Sequence, residues 1–89
     1  MTYLADMMRW GIDVKDRRWK HKNYIMTFLG NEAVDWLVQQ LKIQNRNEAI
    51  EIAQIMMDRS IIHHVNFVEV FSDKPTLYRF FRVRFLSFY

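Results

Sequence analysis

The chain has 89 residues, of which 51% are hydrophobic and 16% aromatic, a composition typical of one folded domain rather than of a disordered segment. The absence of cysteine excludes a disulfide framework and a thiolate metal site. No apolar run approaches the roughly 18 residues that a membrane-spanning helix needs, so we expect a soluble domain. The net charge of +3 is too small to indicate nucleic-acid binding by itself, and the position of the charges matters more.

The first third of the chain predicts a short helix followed by a hairpin. One face of the helix carries Leu4, Met7 and Met8. Gly11 is well placed to end this helix. Between residues 12 and 29 no helical stripe persists, and the apolar positions instead suit two short strands around a polar turn near residues 20–23. We call residues 12–29 the arm.

A second helix is predicted to open directly after the arm. Gly30 can take a backbone angle that a bulky residue resists, so a strand over residues 24–29 can turn abruptly into a helix over residues 31–41. Gly30 or Asn31 is expected to supply the N-cap. The apolar stripe of this helix consists of Val34, Leu37, Val38 and Leu41.

A third helix is predicted to begin near Arg46, because Asn45 and Glu48 have the spacing of a capping box. Its apolar residues cover more than half of the circumference, which favours the most buried position among the helices. Strands are then expected at residues 61–65 and 76–82, joined by a loop that contains Pro75. Together these elements predict an α+β domain of winged-helix type, with three helices, an arm between the first two and a C-terminal hairpin.

Positive charge is concentrated in the arm. Residues 13–22 carry five basic and two acidic residues, a local charge of +3 that equals the net charge of the whole chain. The basic residues are Lys15, Arg17, Arg18, Lys20 and Lys22. One interpretation is a basic fingertip that meets anionic lipid or an acidic partner, and the other is a solvated hairpin whose charges discourage edge pairing. Asp16 and Arg17 are also candidates for structural pairing across the turn.

Other polar or polarisable residues favour structural roles. Trp36 lies at the rim of a helical stripe, where packing is the usual role, and the methionine pairs at residues 7–8 and 56–57 have the spacing of core residues. His63 and His64 are adjacent in a predicted strand and therefore point to opposite faces, so we expect no metal site. No glycine-rich phosphate loop or nucleophile with an evident base is present in the sequence, and we expect neither a cofactor nor enzymatic activity.

Residues 28–37, which read F-L-G-N-E-A-V-D-W-L, resemble the signature of the DEP domain, the module named after Dishevelled, Egl-10 and pleckstrin. Segments at residues 11–19, 46–49, 61–65 and 77–80 resemble other parts of that family in the same order.

The resemblance implies the same winged-helix architecture. The residues that it implies as a structural signature are Phe28, Gly30, Val34, Asp35, Trp36, Leu37, Tyr78 and Phe80. Asp35 is then expected to hold the arm or the third helix through a hydrogen bond. The resemblance places a DEP-like domain at residues 1–82 and leaves residues 83–89 as an aromatic and basic extension.

The same resemblance implies a non-enzymatic signalling module that brings a larger multidomain parent protein to the cytoplasmic face of a membrane, as family members do in Wnt and G-protein signalling. Its implied partners are anionic lipids, a membrane receptor or a signalling protein. The expected contact residues are Lys15, Arg17, Arg18, Trp19, Lys20 and Lys22.

Two other functions stay open at this point. An interaction domain within its own parent chain or in a homodimer is favoured by the aromatic residues 83–89, which we expect to form an ordered contact. Winged-helix DNA binding is disfavoured, since residues 46–59 carry a net charge of −1.

Overall fold

Residues 2–81 of the chain are described by the computed structural model, and they form three helices and four strands. The helices are α1 (Thr2–Gly11), α2 (Gly30–Leu41) and α3 (Arg46–Asp58). The strands are β1 (Lys15–Trp19), β2 (Lys22–Leu29), β3 (Ile62–His64) and β4 (Leu77–Phe80). The predicted α+β architecture, with its arm and closing hairpin, is confirmed, and the two closing strands are shorter than predicted. The contact expected for residues 83–89 lies outside the described residues.

The four strands form one antiparallel sheet in the order β1-β2-β4-β3. β2 is long enough to serve two partners, because its first part pairs with β1 and its last residues, Phe28 and Leu29, pair with β4. The arm is therefore a direct extension of the sheet that covers the core. β1 and β3 are the two edge strands.

The core lies between the sheet and the three helices. Fully buried side chains come from every layer: Met8 of α1, Phe28 of β2, Leu37 of α2, Met56 of α3 and Tyr78 of β4. A second, smaller cluster at the base of the arm consists of Tyr24, Val65 and Leu77. Since Tyr24 belongs to β2, this cluster fixes the arm to the closing hairpin.

The N-cap of α2 and the hydrogen-bond partners of its first N–H groups differ from the prediction. Leu29 is the N-cap and makes no side-chain cap hydrogen bond. The first helical N–H groups donate instead to the loop before β4: Gly30 to the Thr76 carbonyl at 2.9 Å and Asn31 to the Lys74 carbonyl at 2.9 Å. Gly30 has no positive φ. A Cβ there would overlap the Ser72 carbonyl oxygen and lie 2.9 Å from the Tyr78 ring, so close approach, and not a special backbone angle, requires glycine.

The start of α3 follows the prediction, whereas its burial does not. Asn45 is the N-cap, and its side chain accepts a hydrogen bond from the Glu48 N–H at 3.0 Å. α3 has three buried residues and α2 has four, and Ile55 of α3 is 40% exposed, so α3 is not the most buried helix. Its neighbours are mainly α2 and, to a smaller extent, β3, which leaves one side open to solvent. Within residues 2–81 no helix is long and apolar enough to cross a bilayer.

The turns of the described chain are built without glycine. Positive φ angles occur at Lys20, His21, Met26, Lys42, Ser60 and Phe67. Lys20 and His21 are the two residues between the paired Trp19 and Lys22, and positive φ at both central positions is typical of a type I′ hairpin turn. The tip of the arm is thus a tight two-residue turn that holds a cation and an imidazole outward.

Candidate functional site on the arm

The structure separates the five basic residues of the arm into exposed and internal ones. Lys15, Arg18, Lys20 and Lys22 are exposed, whereas the side chain of Arg17 is only 13% exposed. The difference follows from strand pairing: Arg17 faces Tyr24 across the hairpin, on the side that packs toward the core. Arg17 is therefore removed from the predicted contact surface.

Arg17 instead connects the arm to α2. Its guanidinium donates to the Thr27 carbonyl oxygen, to the Thr27 hydroxyl at 3.3 Å and to the Asp13 carbonyl at 3.2 Å. It also pairs with the carboxylates of Asp13 at 3.6 Å and Glu32 at 3.8 Å. Since Glu32 is in the first turn of α2, this arginine fixes the direction in which the arm leaves the domain.

The tip of the arm groups cations with aromatic rings. The Lys20 ammonium lies 4.6 Å from the centre of the Trp19 ring, and the Lys22 ammonium lies 5.6 Å from that of Tyr24. Lys15 is paired with Asp13 at 3.1 Å, but within residues 2–81 no carboxylate pairs with Arg18, Lys20 or Lys22. The surface that can meet an anion thus carries three unpaired cations, rather than the five that the sequence suggested.

A β-bulge in β2 exposes two apolar side chains that the sequence analysis did not place at the surface. The register changes between Lys15 and Arg17, and Met26 has a φ of 52°. Charged groups hold the bulged backbone: Asp16 accepts from the Met26 N–H at 2.9 Å, and Arg79 donates to the Ile25 carbonyl at 2.9 Å. Consecutive residues Ile25 and Met26 are consequently 54% and 50% exposed. The one signal in the sequence was Asp16, an aspartate inside the short strand β1.

Trp19 joins the tip to the rest of the domain. It is 42% exposed, and its ring centre lies 6.2 Å from that of Tyr24. Together with Val65, Pro75 and Leu77 it lines a cavity of about 290 Å³. His64 and Thr76 also line this cavity, so its wall is both apolar and polar, and the Lys20 ammonium lies close to the Trp19 ring that borders it.

The signature residues lie mainly in the core and at its margin. Phe28, Val34, Leu37 and Tyr78 are fully buried, and Phe80 is 8% exposed. Trp36 is half-buried and packs over Gly11, where a Cβ would overlap its indole nitrogen. These residues position the arm but do not form a surface site.

Asp35 contacts the third helix and not the arm. Arg46, the first residue of α3, donates to Asp35 at 2.7 Å and to both carboxylate oxygens of Asp73 at 2.7 and 2.8 Å. The hydrogen bonds from Arg46 hold the pKa of Asp73 below its ordinary value. The two carboxylates in turn raise the pKa of Arg46 further above its ordinary value. The arginine at the start of α3 is thus neutralised within the domain.

The two histidines of β3 have separate surroundings. His63 stacks on Phe67 with a centroid distance of 4.7 Å, and His64 meets the edge of Tyr78 at 5.5 Å. Burial lowers the pKa of His64, and the neighbouring His63 lowers it further. In the part of the chain that the structure describes, no group of three metal-ligating side chains comes together.

Comparison with known proteins agrees with this fold. The family model for the domain found in Dishevelled, Egl-10 and pleckstrin (DEP) matches residues 11–80. The solution structure of the human pleckstrin DEP domain has a TM-score of 0.77 and 25% identity, and covers 93% of this chain and 76% of its own. The mouse pleckstrin2 DEP domain also has a TM-score of 0.77, with 26% identity and coverage of 92% and 81%.

Two relatives place the same domain in larger proteins. The vacuolar membrane-associated protein IML1 of Debaryomyces hansenii is 39% identical over 71 residues, which are 79% of this chain and 5% of that protein. The phosphatidylinositol 3,4,5-trisphosphate-dependent Rac exchanger 1 protein of Mus musculus is 37% identical over 67 residues, 75% of this chain and 4% of that protein. The chain thus spans about a twentieth of these relatives, and from the family match and the shared fold it belongs to the DEP domain family.

Proposed function

We propose that this domain is a non-enzymatic signalling module that holds its parent protein at the anionic, cytoplasmic face of a membrane through the tip of the arm. The observation that carries the proposal is the exposed group of Arg18, Lys20 and Lys22 beside Trp19, with no carboxylate paired to these three cations within residues 2–81. An anionic surface supplies the missing counter-charge.

Charge alone gives a weak attachment. Each basic residue near an anionic leaflet contributes about 1 kcal/mol, so three contribute about 3 kcal/mol, roughly a hundredfold enrichment at the surface. The exposed apolar side chains of the arm, Trp19, Ile25 and Met26, supply a second contribution by entering the boundary between headgroups and acyl chains. The combination of both contributions favours a membrane over a purely acidic protein surface.

The names of two relatives support a membrane setting for domains of this kind. One is called vacuolar membrane-associated, and the other is called dependent on phosphatidylinositol 3,4,5-trisphosphate, an anionic lipid. These names describe whole proteins of which this domain is a small part. The arm is the portion of the present chain whose chemistry suits such a surface.

DNA binding is not supported by the geometry. A winged helix that reads DNA uses free basic and amide side chains at the start of its third helix. Here Arg46 is occupied by Asp35 and Asp73, and the remainder of α3 carries Glu48, Glu51 and Asp58. Phosphates would meet a negative helix.

Vesicle co-sedimentation tests the proposal. We expect the chain to sediment with vesicles that contain anionic lipid and not with neutral ones, and to be released by salt, because the attraction is screened. The Lys20→Glu/Lys22→Glu variant should lose most of this binding and keep its melting temperature, since both side chains are exposed.

The matched control changes two exposed lysines elsewhere. Lys42→Glu/Lys74→Glu alters the net charge by the same amount, from +3 to −1, and leaves the arm intact. Equal loss in both variants would mean that net charge and not the arm determines binding. Unchanged binding of the Lys20/Lys22 variant, or binding only to an acidic protein, would reject the membrane function.

A further inference from the structure

A groove lies at the β3 edge of the sheet, away from the arm. It has a volume of about 400 Å³ between the end of α3, β3 and the loop that follows β3. Asp58 and Glu69 line it together with the rings of His63, Phe67 and Phe81. We call this the β3 groove. None of these residues belongs to the proposed membrane contact.

The groove is held open by one half-buried hydrogen-bonding residue of α3. The Gln54 side-chain amide donates to the Asp58 carboxylate at 3.1 Å and to the Glu69 carbonyl at 3.0 Å, and its oxygen accepts from the Phe71 N–H at 2.8 Å. The loop is thereby fixed at a set distance from α3. The groove is therefore a formed feature of the domain.

Phe67 forms the rim of the groove at a conformational cost. Its φ is 62°, a region that bulky residues rarely adopt, and its side chain is 66% exposed. The Phe67 N–H donates to the His64 carbonyl at 2.9 Å, and the ring stacks on His63 with an interplanar angle of 5°. Strain that keeps an aromatic ring at the surface points to a contact with something outside residues 2–81.

The two acidic residues of the groove lack cationic partners. Within residues 2–81 neither Asp58 nor Glu69 takes part in an ion pair. The groove therefore combines an exposed aromatic rim with two carboxylates that have no cationic partner within residues 2–81. An occupant that fits this chemistry carries aromatic or aliphatic side chains and positive charge on one short segment.

We propose that residues 82–89 of this chain occupy the β3 groove. They contain two arginines, Arg82 and Arg84, and five apolar or aromatic residues, Val83, Phe85, Leu86, Phe88 and Tyr89. This matches the carboxylates and the aromatic rim. Eight residues reach at most about 28 Å when extended, enough to follow a groove on a domain whose largest dimension is 37 Å.

The last described residue already lies in the groove. Phe81 lines it, its ring centre is 4.4 Å from that of His63, and its N–H donates to the Ile61 carbonyl at 3.0 Å. Because β3 and β4 are antiparallel, a chain that continues past Phe81 moves toward the residues before Ile61. Asp58 is at that end of the groove, within reach of Arg82 or Arg84.

A spin-label experiment on the full chain tests this placement. The chain has no cysteine, so Ser87→Cys provides a single attachment site for a nitroxide. We expect loss of amide intensity around residues 57–69 and none at the tip of the arm. The loss should persist when labelled chains are diluted with chains that carry no nitroxide, because the contact is within one chain.

Charge reversal identifies the groove residue. Glu69→Lys should abolish the intensity loss, and the double variant Glu69→Lys/Arg84→Glu should restore it, whereas Glu51→Lys, an exposed change on α3 that does not line the groove, should leave it unchanged. Glu69 is preferred to Asp58 because its carboxylate makes no hydrogen bond within residues 2–81, so the fold is preserved.

Three outcomes would overturn the inference. Intensity loss spread evenly over the domain would mean that the segment has no fixed contact. Loss centred on the arm would place it elsewhere. Loss that disappears on dilution would mean that the groove receives the segment of a second copy. Each outcome is independent of vesicle binding by the arm.

Discussion

Two neighbouring arginines of β1 show how strand geometry assigns different roles to the same side chain. Arg17 faces Tyr24 and bonds to Thr27, Asp13 and Glu32, whereas Arg18 is exposed and has no acidic partner within the described chain. Arg17 therefore belongs to the support of the arm and Arg18 to its contact surface. The two residues form a natural pair for comparison.

We expect Arg17→Ala to lower the free energy of unfolding by about 1.5–3 kcal/mol, because it removes several hydrogen bonds of a charged group from a partly buried position. Arg18→Ala should change it by less than about 0.5 kcal/mol and weaken binding to anionic vesicles. Urea unfolding measures the first quantity and co-sedimentation the second. Equal destabilisation by both substitutions would contradict the assignment.

Among the elements, the junction between β2 and α2 depends most on a single residue. Gly30 begins α2 where the loop of residues 72–76 contacts the start of that helix, and its N–H donates to that loop. Tyr78 is fully buried beside it, and its hydroxyl accepts from the Ser72 N–H at 2.8 Å. The nearest atom to a Cβ at Gly30 is therefore a backbone oxygen of Ser72, and the next belongs to a fully buried ring, so neither can shift at low cost.

Gly30→Ala should therefore lower the free energy of unfolding by about 1–3 kcal/mol, the usual cost of overfilling a packed site. Gly11→Ala is the matched control. The three atoms nearest to its new methyl group all belong to the Trp36 side chain, which is half-buried and can shift, so we expect a smaller loss. Thermal melts of both variants make the comparison. A larger loss for Gly11→Ala would mean that the α1–α2 contact is the tighter one.

The sequence predicted those elements whose signals are local. Helical periodicity located α1 and α2, and the Asn45 and Glu48 pair located the start of α3 to the residue. The sequence did not predict which side chains of β2 point to the core and which to solvent. The bulge at Met26 interrupts the alternation of the two faces in β2 and thereby exposes Ile25. The loop contacts of Gly30 were also beyond reach, since they join residues more than 40 positions apart. For the arm, sequence located the charge but not its division between interior and surface.

The molecule as a whole is expected to lose stability in acid in two stages. His64 is held neutral in the folded state by burial, and its Nδ1 accepts from the Asn66 N–H at 2.9 Å. Its pKa in the folded state lies below the ordinary 6.5, so the unfolded chain binds a proton first as the pH falls. Stability from this group is complete above pH 6.5 and decreases below it.

The second stage comes from Asp73. Its folded pKa lies below the ordinary 3.8, mainly because of the hydrogen bonds from Arg46, so its contribution is present above pH 3.8 and is lost as the pH falls further. Urea unfolding as a function of pH should therefore show a decline in stability that begins below about pH 6.5 and a further decline that begins below about pH 4.

Variants separate the two stages. His64→Asn should remove the pH dependence of the free energy of unfolding between about pH 7 and pH 5 and leave the decline below about pH 4. Asp73→Asn should remove the decline below about pH 4 and leave the one between about pH 7 and pH 5. His21→Gln, at the exposed tip of the arm, is the control for replacing a histidine far from β3. An unchanged slope in the His64 variant would show that this histidine does not couple protonation to folding.

At the turn of Lys20 and His21, the residues that would give the most stable backbone differ from those that supply positive charge for membrane binding. Both residues take positive φ, for which Asn-Gly is the favoured pair in a type I′ turn. Replacing them by Asn-Gly would relieve backbone strain and remove one of the three arm cations that have no acidic partner within residues 2–81. A more thermostable domain obtained in this way would be a poorer membrane ligand, so optimisation of this module for stability alone selects against the surface that we propose it uses.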